Sequence, residues 1–217
     1  MIFCQCLWLI FSMATATPDR QQSTPKGRPQ GKSPRTPSSA TTVGASRVHD
    51  MVRKIVDMYQ KWQITVQKGA QYCNAIEGVK KGVLESKGDS VDPFPANLEL
   101  YCKNLAILNT ILDDVIRDLE RSIKKLRLEQ TGLDDGVIGR TWNLQKLISV
   151  LEDVGGLFKK QLELRKTIAE NIGHCITPAE LALHVVFWEQ LSSQNGYLSV
   201  YFEMMKCEFN IDEGMRA

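Results

Sequence analysis

The chain has 217 residues, 43% hydrophobic, 24% charged and only 7% aromatic, with a formal net charge of +2. That is the length of one domain with a tail, and no apolar run reaches the ~18–20 residues of a membrane span, which excludes a multi-span membrane protein. The charge is uneven: residues 13–50 carry six Lys/Arg against two Asp/Glu, residues 51–217 carry 21 against 23, and the body is therefore a mixed-charge surface.

Residues 1–13 open with a ten-residue apolar run, Ile2 to Phe11, followed by Ala14-Thr15-Ala16. Two readings stand. The run and the small residues resemble a secretory signal, which would make the chain a secreted or membrane-tethered helical protein. Against that, no basic residue precedes the run and no Asn-X-Ser/Thr sequon follows it. An upstream extension, with Met13 as the natural start, is the favoured reading. Of the 33 positions in 14–46, 19 are Ser, Thr, Pro or Gly. Such a segment buries too little apolar surface to offset its ordering entropy and is expected to be disordered. Thr17, Thr24, Ser33 and Thr36 each precede a proline and are candidate phosphosites.

A long helix is predicted from about Arg47. Val48, Val52, Ile55, Tyr59, Trp62, Val66, Gly69, Cys73, Ile76, Lys80 and Val83 recur at 4-3 spacing, the period of a helical seam, with Gly69 and Lys80 the two exceptions to its apolar character. Pro93 and Pro95 end that segment. A second helix, about Ala96 to Glu129, carries Leu98, Tyr101, Leu105, Leu108, Leu112, Val115, Leu119, Ser122 and Leu126, widened by Ile107, Ile111, Ile116 and Ile123. A third, about Trp142 to Ile172, turns Leu144, Leu147, Leu151, Val154, Phe158, Leu162, Ile168 and Ile172 inward, and Gly155-Gly156 predicts a kink or a close backbone approach. Thr177-Pro178-Ala179-Glu180 is a capping box with proline at the first helical position. The short fourth helix behind it is apolar on nearly every side and should be wedged into the bundle. Residues Tyr197–Cys207 add a last turn or two. The reading is all-α: an elongated antiparallel helical bundle or coiled coil over 47–207, a disordered N-terminal tail, and a C-terminal tail over 208–217.

Signatures of chemistry are missing. No phosphate-binding loop, dinucleotide fingerprint, nucleophile elbow or zinc helix occurs. The six cysteines include no C-x-x-C, so no metal or disulfide framework is expected. His174-Cys175 is the one tempting nucleophile pair, but adjacent residues at a helix end point apart and no third group orients them. Basic residues at 121–127 and 159–166 are interleaved with acids, which fits surface ion pairs better than a nucleic-acid face. No cofactor, no catalytic residue, no metal site and no sequence-specific nucleic-acid binding are expected.

One stretch is specific. Thr141-Trp142, the run Phe158-Lys159-Lys160-Gln161-Leu162-Glu163-Leu164-Arg165-Lys166-Thr167-Ile168-Ala169, His174 and Trp188 together resemble the cyclin-dependent kinase 2-interacting protein family, well over 141–190 and loosely over 47–207. Gly173 stands where that family favours alanine, and the Gln-Pro-Tyr that follows its tryptophan is blurred here. The resemblance implies a non-catalytic nuclear adaptor. Its relatives associate with cyclin-dependent, replication-initiating and checkpoint kinase complexes, and with an AAA+ ATPase assembly that acts in replisome maintenance and large-ribosomal-subunit maturation. Trp62, Trp142, Phe158 and Trp188 are then expected to be core anchors. Lys159, Lys160, Arg165, Lys166 and His174 are the candidate partner-docking residues, with the four cations forming one polar sector of the third helix.

Overall fold

The computed structural model describes residues 39–85, 94–131, 136–193 and 196–211, all within a compact unit spanning Pro37–Ala217. Five α-helices account for most of them: α1 (Ser39–Glu85), α2 (Ala96–Gln130), α3 (Leu144–Asn171), α4 (Pro178–Ser193) and α5 (Gly196–Phe209). A single 3-10 turn, Ile172–His174, follows α3. The described residues form no strand, only one isolated bridge between Val137 and Asn143. The molecule is an all-α antiparallel bundle. The four hydroxyl residues that precede prolines and the apolar run at 1–13 lie outside the described residues.

Helix α1 follows its seam closely. Val48, Val52, Ile55, Tyr59, Trp62, Val66, Cys73, Ile76 and Lys80 are all buried, the lysine included. Its start differs from expectation: the helix begins at Ser39, eight residues before Arg47, so the tail assigned to 14–46 gives up its last residues to α1. At the other end of the chain, Glu208 and Phe209 belong to α5 rather than to a tail. Asn210 adopts the left-handed conformation (φ 49°) and lets the Ile211 amide donate back to the Lys206 carbonyl at 3.0 Å, closing the helix in a Schellman turn.

Helices α2 and α3 pair antiparallel, in a register visible from Arg127 opposite Glu152, Glu120 opposite Lys159, and the Asn109 amide reaching the Arg165 carbonyl. Ile116 and Ile123 widen the buried stripe of α2, but Ile107 faces solvent. Asn143 caps α3 by accepting from the Lys146 amide at 2.9 Å, which leaves Trp142 in the preceding turn. The glycine pair does not interrupt the helix. Helix α3 runs through it, and a Cβ at Gly155 would meet only Leu119 Cδ2, at an ordinary 3.8 Å.

The fourth layer is made of two helices laid end to end along α1. Contacts run antiparallel from Lys80–Cys175 through Gly69–Trp188 to Tyr59–Phe202 and His49–Phe209. Thr177 Oγ1 accepts from the Glu180 amide while the Glu180 carboxylate accepts from Ile176, the reciprocal cap expected at the start of α4. Two core clusters result. One joins α1, α2, α3 and α5 around Tyr59, Trp62 and Phe158. The other joins α1, α2, the end of α3 and α4 around Cys73 and Trp188. Helix α4 is not wedged in on all sides: Leu181, Val185, Trp188 and Leu191 point inward, while Leu183 and Val186 remain exposed.

Candidate functional site

The aromatic anchors occupy the joint between the two clusters. Trp62 stacks on Phe158 with ring centroids 4.1 Å apart, and Tyr59 stacks on Phe202 at 3.9 Å, tying α1 to α3 and to α5. Trp188 is fully buried, and its indole nitrogen donates to the Val66 carbonyl at 3.1 Å. Its ring lies so close to α1 that a Cβ at Gly69 would stand 2.0 Å from it. The glycine in the α1 seam is the seat of the tryptophan. Trp142 is buried as well, held by a different device: the Glu208 carboxylate accepts from the amides of Thr141 and Trp142 and from the Thr141 hydroxyl. These charge-assisted bonds favour the ionised form and hold the Glu208 carboxyl below the usual carboxylate range, the Thr141 hydroxyl contributing most.

Arg165 overturns the expected docking sector. It is fully buried, with its guanidinium 5.3 Å from the Trp188 ring centre and 5.9 Å from that of Trp62. The reason is helical geometry: Arg165 follows Phe158 by seven residues, about 20° away around the axis, and so shares the inward face rather than flanking the lysines. Nη1 donates to the Gln161 side chain at 3.1 Å, while Nε and Nη2 have no hydrogen-bond partner among the described residues. No carboxylate is among the contacts described for it. Burial therefore pulls the guanidinium down to about 10, opposed by nearby Cys73, whose own thiol burial pushes up to about 12.

The remaining cations stay at the surface in unequal states. Lys159 pairs with Glu120 at 2.5 Å, and Lys166 with Glu163 at 3.2 Å and Asp113 at 4.0 Å, so both are spent along the α2–α3 flank. Lys160 is exposed and has no ion-pair partner among the described residues. His174 is exposed at the end of the 3-10 turn, its ring edge-on to Phe94. The structure thus brings Lys159 and Lys166 to one flank and removes Arg165 from it.

No family model and no curated protein matches this chain.

The burial of Lys80 and the Cys175–His184 contact were not foreseen from the sequence. Lys80 is buried and donates to the carbonyls of Gly173 (2.6 Å) and Cys175 (2.7 Å), a cation on the orphan carbonyls where α3 ends. Its position on the α1 seam is the clue, as Arg165's is on the α3 seam. Gly173 itself has no room for a side chain, since a Cβ would lie 2.9 Å from Cys102 Sγ. Cys175 meets His184 rather than its neighbour His174, at 3.5 Å from Nδ1. That nitrogen also lies 2.8 Å from the Glu180 carbonyl, so it carries a proton and cannot accept one from the thiol. Burial raises the Cys175 thiol further from reactivity. Among the described residues no group of His, Cys, Asp and Glu is placed to hold a metal ion, and no helix is long and apolar enough to cross a membrane.

Proposed function

We propose that the chain is a non-catalytic nuclear adaptor of the cyclin-dependent kinase 2-interacting protein kind. In this reading it links replication and checkpoint kinase complexes with an AAA+ ATPase assembly that serves genome maintenance and large-ribosomal-subunit maturation. The observation that carries the reading is where the resembling residues lie. Phe158 and Arg165 of α3 meet Trp62 of α1, Arg165 also lies over Trp188 of α4, and Thr141-Trp142 anchors the turn before α3 to the end of α5. A motif spent on fixing helices against one another suits a protein whose product is a surface. The buried thiols, raised by burial, and the proton-bearing His184 Nδ1 supply no nucleophile–base pair.

Affinity purification of the tagged full chain from nuclear extract, with quantitative mass spectrometry, tests the proposal. Cyclin-dependent or replication-initiating kinases and AAA+ ATPases should be enriched over an untagged control. Recovery of neither class, or residence of the protein in the secretory pathway, would overturn it.

A further inference from the structure

Helices α4 and α5 are apolar on both faces. On α5, Leu198, Phe202, Met205 and Phe209 are buried, whereas Tyr197 (78% exposed), Val200 (56%), Met204 (47%) and Cys207 face outward. At ~100° per residue the second set falls within a sector of about 80°, roughly opposite the first. Its spacing of 3, 4 and 3 is a helical seam in its own right. On α4 the same arrangement recurs: exposed Leu183 (50%) and Val186 (46%) lie opposite buried Leu181, Val185 and Trp188. No described element covers either stripe. An exposed apolar stripe on an outermost helix loses hydrophobic free energy to water unless something binds it.

The charges beside the stripes say what. On α5 the helical angle puts Glu203 along one border and Glu208, whose carboxylate also holds the turn at Thr141-Trp142, along the other; on α4 Glu180, whose carboxylate also caps the helix, and Glu189 take the corresponding positions. The one lysine of these helices, Lys206, is largely covered and paired with Glu203 at 2.9 Å. Seam positions flanked by glutamate on both sides match a helix with apolar residues at 4-3 spacing and Lys or Arg at the flanking positions. A second copy of this chain would set glutamate against glutamate and is disfavoured by the same rule.

We propose that the outer faces of α4 and α5 form a docking surface for a basic amphipathic helix of a partner protein. The proposal deepens the adaptor reading, on which it rests for the existence of a protein partner, by naming the partner's chemistry. Binding by this mode is helix-in-groove recognition, with the apolar contacts setting affinity and the glutamates setting register and association rate.

The test uses the full chain and a fluorescein-labelled helical peptide of about three heptads, leucine at a and d and lysine at e and g, with a glutamate-flanked peptide as control. Fluorescence anisotropy should show binding of the lysine peptide that weakens with added salt, and at least about tenfold weaker binding of the glutamate peptide. Val200→Glu/Met204→Glu, both at exposed positions, should cut binding of the lysine peptide about tenfold or more while circular dichroism and melting stay at wild-type values. Equal binding by that folded variant, or equal binding of both peptides, overturns the proposal. If the double variant does not fold, Glu189→Lys/Glu203→Lys takes its place and should reverse the peptide preference; an unchanged preference overturns the proposal. Sedimentation that shows a dimer of the wild type, lost in the variant, assigns the face to a second copy and also overturns it. The adaptor reading fails separately. Recovery of kinases and AAA+ ATPases by wild type and variant alike removes the face and keeps the reading, whereas peptide binding without such recovery does the reverse.

Discussion

Glycine positions in α1 that look alike in sequence should respond to alanine with opposite signs. Gly69→Ala places a methyl 2.0 Å from a rigid, fully buried indole, and overpacking of that kind costs about 1–3 kcal/mol, more than the ~1 kcal/mol of helix propensity that alanine restores. Gly78→Ala meets open space and should stabilise by roughly 0.5–1 kcal/mol. Urea titrations followed by circular dichroism resolve both, and equal shifts would show that Trp188 does not sit on Gly69. Arg165 makes a second contrast. Arg165→Met removes a buried charge while filling its volume, and should leave stability unchanged or raise it by about 1–4 kcal/mol, whereas Arg165→Ala opens a cavity beside two tryptophans and should lower it. A strong loss with methionine would mean that the stacked guanidinium is itself a stabilising group. Cys73 supplies a pH dependence. Its thiol moves from 9.0 to about 12 on folding, so the native state holds a proton that the unfolded chain gives up, and stability is lost as pH rises from about 9 towards 12. Arg165 works the other way, from about 10 upward, because its folded value lies below that of an ordinary guanidinium. Between about pH 9 and 10 the cysteine acts alone of the two, and in that window Cys73→Val should gain on wild type in unfolding free energy, read from urea titrations, by at most about 1.4 kcal/mol per pH unit.

At the scale of elements, the turn before α3 depends on the far end of the chain. Glu208 of α5 accepts from two amides and a hydroxyl of Thr141-Trp142, and Arg140 bonds back to Asn210 and to the Glu208 carbonyl. Because folding depresses the Glu208 carboxyl, its contribution is present above the ordinary carboxylate value of 4.5 and fades as pH falls through the lower folded value. Glu208→Gln should therefore melt below wild type at neutral pH, with the gap closing in acid. A gap that persists unchanged at acid pH would assign the loss to shape rather than to charge. Trp188→Ala should cost about 3–5 kcal/mol, as for other buried aromatics. In the same molecule it should abolish the penalty of Gly69→Ala, since residues in direct contact are not additive.

Over the whole molecule, α5 closes the half of the core that α4 leaves open. Leu198, Phe202, Met205 and Phe209 are at most 2% exposed, and burial at about 1.5–3 kcal/mol per side chain amounts to a large share of the 5–15 kcal/mol by which domains are stable. Truncation after Ser193 should accordingly abolish cooperative melting rather than lower its midpoint. A sigmoidal melt in the truncated chain would make α5 an appendage. The two-sided apolarity of α4 and α5 has meaning only at this scale. One face of each helix is spent on α1, and the other is left for a partner.

The sequence by itself determined the helices and the inward stripes of α1, α2 and α3, because a seam at 4-3 spacing has one way to bury itself whatever the partner helix is. It determined the Thr177 cap for the same reason, since that geometry is local. Tertiary structure decided whatever depends on which neighbour lies across the seam. Lys80 and Arg165 sit at seam positions, but only the carbonyls closing α3 and the two indoles explain why cations are kept there. Gly69 and Gly173 look in sequence like weak helix positions, and only Trp188 and Cys102 Sγ make them seats. Arg165 was misassigned to the docking sector of α3 because charge was weighed above angle, and a seven-residue step from Phe158 carries even an arginine into the core. The apolar outer face of α4 was read as buried because hydropathy counts apolar residues without knowing how many sides the bundle covers. One layer of helices on α1 can cover only one.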